Sequence, residues 1–376
     1  MKVLMITTSY PDFEESNRGI FIRRLCRELA NNRIEVIVLT PRIFHESPLY
    51  EEEQGIHVHR FRFPSGNRPL NQLESIPVFP MCVYMLSGLM SALRIIFREK
   101  PDVIHGNWIV PTGLIASLAG LLTGTPVINT ARGMDMRVSE KGIIKALFNL
   151  AVRLSDKVTI VSEVMRERSV LSNAELITSG VNETFFSRTP IRNHRTVLYA
   201  RSLERIYDAG TLIRAVPHVL KSIPDAQFVI AGSGSQLDDL KKTAEILGIS
   251  DSIDFLGHVA HNRVSELMKA ASVYVSTATA DGTSIALMEA IAAAIIPVVS
   301  DINANKLLVK DGKDGFLFLP EKELDLADKI IFALTEGIPP SVLDQKRYIF
   351  REIAGWSSIA NRFISSYNHI AGNKVK

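Results

Sequence analysis

The sequence predicts an α/β protein made of two doubly wound parallel-sheet domains in tandem. Three observations predict it. Short β-branched runs alternate with longer amphipathic stretches from end to end, the pattern of strands joined by crossover helices. A chain of 376 residues is longer than one hydrophobic core usually serves. A polar segment, PIRNHR at 190–195, separates two such alternating series and reads as a linker.

The first series opens with a strand at 2–8 (KVLMITT) and a turn-rich loop at 9–18. Gly19 then opens a helix over 20–30, with Ile20, Phe21, Leu25 and Leu29 as its apolar stripe. Strands follow at 35–40 and 56–63, the second alternating around His57 and His59. A long helix covers 78–97. Then come a strand at 102–105, a helix at 111–122 ended by Gly124-Thr125-Pro126, and a strand at 127–130. A helix at 143–154 and strands at 157–161 and 175–179 close the series. The second series runs strand 196–200, helix 208–223, strand 227–231, helix 236–247, strand 253–256, helix 262–269 and strand 273–276. Helix 285–294, strands 295–299 and 315–318, and helices 324–336 and 342–354 complete it. A last helix at 356–371 carries Ile359, Phe363 and Tyr367 on one face. The expected domains are 1–188 and 189–355, with the last helix packing back on the first.

Composition narrows the function. Hydrophobic residues make up 46% and charged residues 22%, so a sizeable core can form. A net charge of +3, with no basic tract interleaved with aromatics, argues against nucleic acid. Cys26 and Cys82 sit in apolar, helical surroundings and read as buried thiols of a cytoplasmic protein. Met1-Lys2 leads straight into a strand, without the pattern of a signal peptide. Residues 78–97 hold one charge, Arg94, and approach membrane-spanning length. Pro80, Ser87, Gly88 and Ser91 dilute the run, and strand signals flank it, so a core helix is expected. An interfacial role, and with it peripheral membrane contact, stays open.

The chemistry concentrates at 280–299, ADGTSIALMEAIAAAIIPVV. Asp281-Gly282 makes a tight turn, Thr283 and Ser284 are N-cap residues, and a helix of strong formers follows. Such a helix start aims unpaired N–H groups and a positive dipole end at its ligand, a natural seat for phosphate. Glu289 lies two turns on among Leu287, Met288, Ala290 and Ile291. A helical glutamate is ordinarily a solvated one. In so apolar a helix a hydroxyl-rich ligand is an equally good explanation.

This stretch resembles the signature of the retaining glycosyltransferases of family 4 (GT4), on Asp281, Glu289, Ala290-Ile291-Ala292 and Pro297-Val298-Val299-Ser300-Asp301. The resemblance extends over nearly the whole chain: Arg18-Gly19, 102–105 (DVIH), 130–135 (TARGMD), Gly180-Val181-Asn182 with Phe186, Arg201, 231–234 (AGSG) and 255–259 (FLGHV). It implies the GT-B fold, two Rossmann-like domains facing a central cleft. It also implies transfer of a sugar from a nucleotide diphosphate sugar, as co-substrate, to a hydroxyl of a glycan or lipid-linked acceptor. Where relatives carry Glu, Gly, Lys and His, this chain has Asp281, Ala294, Ile206 and Arg132.

The resemblance also assigns residues. Arg201, at the end of its strand, meets the charge that grows on the leaving diphosphate, with Arg205 beside it. Gly232 and Gly234 lie near the nucleotide, and backbone groups of His258 and Val259 face the base. Glu289 accepts from the ribose hydroxyls. Asp281 and the N–H groups of Gly282, Thr283 and Ser284 meet sugar and phosphates. Gly19 lets the first helix approach the ligand closely. Arg132 stays protonated, so it clamps an anion and cannot act as a base. Asp135 pairs with it or binds acceptor hydroxyls. His105 and Trp108 line the acceptor side, although a satisfied core histidine is the commoner role. The expected catalytic set is therefore Arg201, Asp281 and Arg132. No Asp-x-Asp motif and no His/Cys cluster at ligand spacing occurs, which fits a metal-independent enzyme without a cofactor. Two rivals remain: a nucleotide-sugar epimerase of similar fold, and a catalytically silent binding subunit. A third, an NAD oxidoreductase, lacks the dinucleotide fingerprint.

Overall fold

The computed structural model describes residues 1–13, 16, 18–68, 78–140, 142–187 and 195–373. The segment 190–194 of the expected linker lies outside them. The chain forms two compact units, Met1–Gly180 with Trp356–Lys376, and Val181–Gly355.

The first unit is an eight-stranded sheet: β1 (Lys2–Thr7), β2 (Glu35–Pro41), β3 (Tyr50–Glu53), β4 (Ile56–Phe61), β5 (Val103–Asn107), β6 (Val127–Ala131), β7 (Lys157–Ile160) and β8 (Glu175–Leu176). Their order is β3-β4-β2-β1-β5-β6-β7-β8. All described pairings are parallel except β3 with β4. The strand period of two explains the layers. Val3 and Met5 join helix Ile20–Asn31 and the C-terminal helix Trp356–Asn373 on one face. Leu4 and Ile6 join helices Val78–Glu99 and Leu114–Thr123 on the other. Burial on both faces is why these strands read as continuous apolar runs. Sequence reading missed β3 because YEEE has no strand signal. The hairpin itself forms it: Gln54 and Gly55 both have positive φ, the geometry of a tight two-residue turn.

The second unit has β9 (Thr196–Tyr199), β10 (Gln227–Ala231), β11 (Ile253–Gly257), β12 (Val273–Ser276), β13 (Ile296–Ser300) and β14 (Phe316–Phe318). The order is β11-β10-β9-β12-β13-β14, parallel throughout. Val197 and Tyr199 face helices Ala209–Ser222 and Glu323–Thr335, and Leu198 faces helix Ile285–Ala292.

The division falls at Gly180, eight residues before the boundary at 188 expected from sequence. Val181 already belongs to the second unit, because its N–H donates to the Ala354 carbonyl at 2.7 Å. Phe185 and Phe186 then enter that unit's core. Gly180 belongs to the first unit, where a Cβ would lie 2.3 Å from the Trp356 ring.

One sequence expectation needs correction. Cys26 is buried but Cys82 is exposed. The helix around Cys82 packs into the core with one face only. Val78–Glu99 buries Tyr84, Gly88, Ala92, Ile95 and Ile96. Phe79 (72% exposed), Leu86 (65%), Met90 (59%) and Phe97 (70%) stand in the open on its other side. By length and composition it is the one helix among the described residues that meets the criteria for a membrane span, and only 28% of its most apolar window is buried.

Candidate functional site

Ligands of doubly wound sheets bind outside the carboxyl ends of the strands, where the strand order reverses. In the second unit that point lies between β9 and β12, since β10 and β11 extend one way and β13 and β14 the other. Arg201 leaves β9 there, and residues 277–284 leave β12 there. The two segments meet. Arg201 Nη1 donates to Asp281 Oδ2 at 2.6 Å, to Ser284 Oγ at 3.1 Å and to Ser276 Oγ at 3.3 Å. The guanidinium carbon lies 4.2 Å from the centre of the Tyr207 ring. Burial works against the charge on Arg201, but Tyr274 and Asp281 outweigh it and raise its pKa. A fixed cation thus sits at the strand ends, held by groups that also shape the next helix.

That helix, Ile285–Ala292, starts where the sequence places it. Ser284 is the cap, and its Oγ accepts from the Leu287 N–H at 3.2 Å. Asp281 Oδ1 accepts from the Gly282 N–H at 2.8 Å, so this carboxylate both fixes Arg201 and closes the turn. Glu289 is 5% exposed. Its Oε1 accepts from His261 Nε2 at 2.7 Å. His261 was not singled out from the sequence: it begins helix His261–Ala270, 28 residues upstream of Glu289, with no spacing rule to join them.

Other expected groups are explained by packing of the chain on itself. A Cβ at Gly232 would fall 1.9 Å from the Arg201 carbonyl, and one at Gly234 would fall 2.5 Å from the Leu203 carbonyl. These glycines let the 232–235 turn lie against the segment carrying Arg201. Glu204 locks that turn, accepting from the Ser235 N–H at 3.0 Å and its Oγ at 2.6 Å. Arg205 is exposed at the start of a short 3-10 turn and takes no part in the Arg201–Asp281–Ser284 network. The Ile206 carbonyl of that turn accepts from the Thr279 N–H at 3.0 Å. His258 is exposed and Val259 half-buried, just past the left-handed Gly257.

The first unit has the same reversal between β1 and β5. Gly19 has φ +67°, and a Cβ there would lie 2.3 Å from the Ser9 carbonyl. Close contact with the β1 loop therefore explains this glycine. Arg18 binds Asp12 through both ends, at 2.6 and 2.9 Å. His105 does not line a cleft. It is fully buried, with Nδ1 2.7 Å from the Tyr367 hydroxyl and Nε2 2.7 Å from Thr130 Oγ1. Burial, and then the nearby Arg132, push its pKa down to about 3, so the ring is neutral. Asp135 lies close enough to Arg132 for the two charges to favour each other. It is 1% exposed, and its oxygens accept from the backbone N–H groups of Ile109 at 2.7 Å and Arg132 at 2.9 Å. Burial pushes its pKa up to about 7. The Arg132 guanidinium donates to Asn107 Oδ1 at 2.9 and 3.2 Å and lies 4.5 Å from the centre of the Phe21 ring and 5.8 Å from that of Trp108. Burial lowers its pKa to about 10, which still leaves it charged at neutral pH. Trp108 has φ +65°, a conformation that costs a bulky residue energy and is concentrated at functional sites.

Comparison with known proteins gives these sites a context. Residues 181–349 match the family described as glycosyl transferases group 1, and residues 19–175 match the glycosyl transferase 4-like domain. An uncharacterized glycosyltransferase of Methanocaldococcus jannaschii, MJ1607, is 25% identical, aligning 98% of each chain. The UDP-Gal:alpha-D-GlcNAc-diphosphoundecaprenol alpha-1,3-galactosyltransferase of Escherichia coli is 24% identical over 69% of this chain and 72% of its own. The alpha-monoglucosyldiacylglycerol synthase of Streptococcus pneumoniae is 26% identical over 79% and 76%. Among solved structures, sucrose-phosphate synthase from Thermosynechococcus elongatus superimposes with a TM-score of 0.76 at 17% identity, covering 99% of this chain and 100% of that one. HepE of Anabaena, in complex with UDP, gives 0.75 at 16%, covering 98% and 100%.

Proposed function

Because the chain belongs to the GT4-type glycosyltransferases of the GT-B fold, we propose that it is a retaining, metal-independent enzyme that moves a sugar from a nucleoside diphosphate sugar to a hydroxyl of a glycan or lipid-linked acceptor. The observation that carries the reading is the Arg201–Asp281–Ser284 network at the strand-order reversal of the second unit. As the anomeric C–O bond breaks, negative charge grows on the departing diphosphate. A preorganised cation beside a helix N-terminus lowers that barrier, the kind of electrostatic stabilisation that dominates many enzymes. In this reading Arg201 meets the diphosphate, Asp281 and the N–H groups of 283–284 orient sugar and phosphate, and Glu289 accepts from the ribose. Backbone groups at His258 and Val259 contact the base. No side chain is assigned as base; the departing diphosphate takes the acceptor proton. Arg132 offers a charged anchor for an anionic acceptor.

The lipid-linked class is supported by the relatives' names: the E. coli enzyme acts on a diphosphoundecaprenol-linked sugar, and the pneumococcal enzyme makes a glucosylated diacylglycerol. The exposed stripe Phe79, Leu86, Met90 and Phe97 supports peripheral attachment to the inner face of the cytoplasmic membrane. Arg94 and Arg98, exposed on the same helix, suit anionic headgroups.

A thermal-shift screen against UDP, GDP and ADP, followed by incubation with the matching labelled nucleotide sugar with and without lipid extract, tests this function. One nucleotide raises the melting temperature, by about 2.7 kcal/mol of stabilisation at 100 times its Kd, and label enters lipid only when extract is present. Sugar isomer formed without extract makes the protein an epimerase. Binding without any turnover makes it a silent subunit.

A further inference from the structure

We infer that His261 is a positioning residue for the nucleotide ribose, holding the Glu289 carboxylate in one orientation from a seat built by Phe185. The inference rests on the reading of Glu289 as the ribose acceptor and adds what fixes it there.

Glu289 lies in an apolar helix, between Met288 and Ala290 with Leu287 and Ile291 beyond, all buried. A carboxylate so placed has lost most of its water, and burying a charge without a partner is costly. His261 supplies the partner. A carboxylate only accepts, so Nε2 carries the proton across the 2.7 Å contact. The bond engages Oε1 alone. Among the described residues Oε2 receives no hydrogen bond, and the side chain is 6% exposed. One oxygen is anchored and one is available, the arrangement that presents an acceptor to a hydroxyl in a fixed direction. An unanchored glutamate has three rotatable bonds to order on binding, and fixing a rotamer-rich side chain costs about 0.5–1.5 kcal/mol.

The anchor is itself held. The Phe185 ring meets the imidazole edge-on, 5.2 Å between centroids at 75°. Phe185 belongs to the short helix Glu183–Phe186, which Asn182 caps by accepting from the Thr184 N–H at 3.1 Å. The Ser265 hydroxyl, one turn along from His261, donates to the Thr184 carbonyl at 3.3 Å and ties the two helices together. The motif Gly180-Val181-Asn182 with Phe185-Phe186 thus does more than begin the second unit. It builds the wall against which His261 reaches Glu289. None of these residues touches Arg201 or Asp281 through a described hydrogen bond, so the ribose end and the phosphate end of the site are held separately.

The experiment compares binding of the nucleoside diphosphate that stabilises the protein with binding of its 2′,3′-dideoxy form, by calorimetry, in wild type, Glu289→Gln, His261→Ala and His261→Gln. The ratio of the two affinities measures hydroxyl recognition and is insensitive to a general loss of folded protein. Wild type should prefer the ribose form by about tenfold or more. Glu289→Gln and His261→Ala should each bring the ratio within about threefold of unity. His261→Gln, whose amide Nε2 can donate from nearly the same place, should restore most of it. A turnover assay adds a second readout: His261→Ala should raise the donor KM far more than it lowers kcat. If Glu289→Gln keeps the wild-type ratio, Glu289 does not read the ribose and the assignment beneath the inference falls. If Glu289→Gln collapses the ratio while His261→Ala keeps it, Glu289 reads the ribose and the positioning role of His261 is overturned. A His261→Gln variant no better than His261→Ala, with both folded, overturns it as well.

Discussion

The two units reverse their strand order at equivalent places, between β1 and β5 and between β9 and β12, yet they use polar side chains there in opposite ways. In the second unit Arg201, Asp281, Ser284 and Glu289 are held from one side and keep capacity for a ligand. In the first unit the polar groups satisfy one another. His105 is bonded at both nitrogens, Asp135 holds two backbone N–H groups, and Arg18 is forked onto Asp12. Arg132, on Asn107 and Phe21, is the intermediate case. Polarity at a strand-order reversal is therefore not itself a binding site; what matters is the hydrogen-bonding capacity left over.

The comparison breaks most easily at its strongest point. Arg201→Ala should lower kcat by roughly 10²–10³, the effect of removing one preorganised charge-stabilising donor, with only a small change in melting temperature. Asp281 keeps enough exposure, 14% of its side chain, to be rehydrated. Asp135→Ala should do the reverse. It leaves the buried N–H of Ile109 without its acceptor, and an orphaned buried donor costs about 1–3 kcal/mol, whereas activity per folded molecule should stay within a few fold. Transfer kinetics beside denaturant melts decide. Equal losses of stability in both variants would mean that the second unit's network is as structural as the first's.

A pH experiment sharpens the contrast on His105. Its pKa in the folded protein, about 3, lies below the ordinary 6.5 of the unfolded chain. Its contribution is complete above pH 6.5 and is lost as pH falls toward 3, because the unfolded state takes up the proton first. The slope is up to about 1.4 kcal/mol per pH unit. Asp135 runs the other way: with a folded pKa of about 7, raised from 3.8, it favours the folded state as pH falls from 7 to 4. The two slopes oppose each other in the wild type, so the net curve conceals both. A comparison with His105→Gln cancels Asp135. The stability advantage of wild type over the variant should shrink by roughly 2.5 kcal/mol between pH 6.5 and 4.5. Parallel curves would mean that His105 is not held neutral by its bonds to Tyr367 and Thr130.

Much of this was legible in the sequence for a physical reason: strands buried on both faces and capped helices announce themselves locally. The helix start at Ser284 and the strands Gln227–Ala231 and Val273–Ser276 stand where local pattern puts them. The site's partners were not legible, because they are non-local. His261 and Glu204 meet Glu289 and Ser235 across 28 and 31 residues, through the fold alone. Glycines are only half legible, for a related reason. Gly19, Gly232 and Gly234 announce a close approach but not of what, and the neighbour is the chain's own backbone. The β3 strand was missed because turn geometry, not side-chain periodicity, forms it.

The smallest effect bears on the same helix from its other end. Ile285–Ala292 closes in a Schellman arrangement: the Ala294 N–H donates to the Ile291 carbonyl at 3.0 Å and the Ile295 N–H to the Ala290 carbonyl at 3.2 Å. Ala294 therefore occupies the position that favours glycine, at φ +52°, and it is the position where the resembling family carries glycine. A left-handed L-residue costs about 1–2 kcal/mol. Ala294→Gly removes that cost but gives up a buried methyl worth about 0.8 kcal/mol. A net gain of about 0.5 kcal/mol should remain, or one to two degrees in melting temperature for a unit of this size. A fall of several degrees would show that the methyl packs better than its backbone is strained. Donor affinity adds the informative readout. If the variant is more stable and binds the nucleotide as well as before, the strained turn is incidental. If it is more stable but binds less tightly, the strain at Ala294 sets the pitch of the helix that presents Glu289, and the second unit trades stability for the orientation of its site.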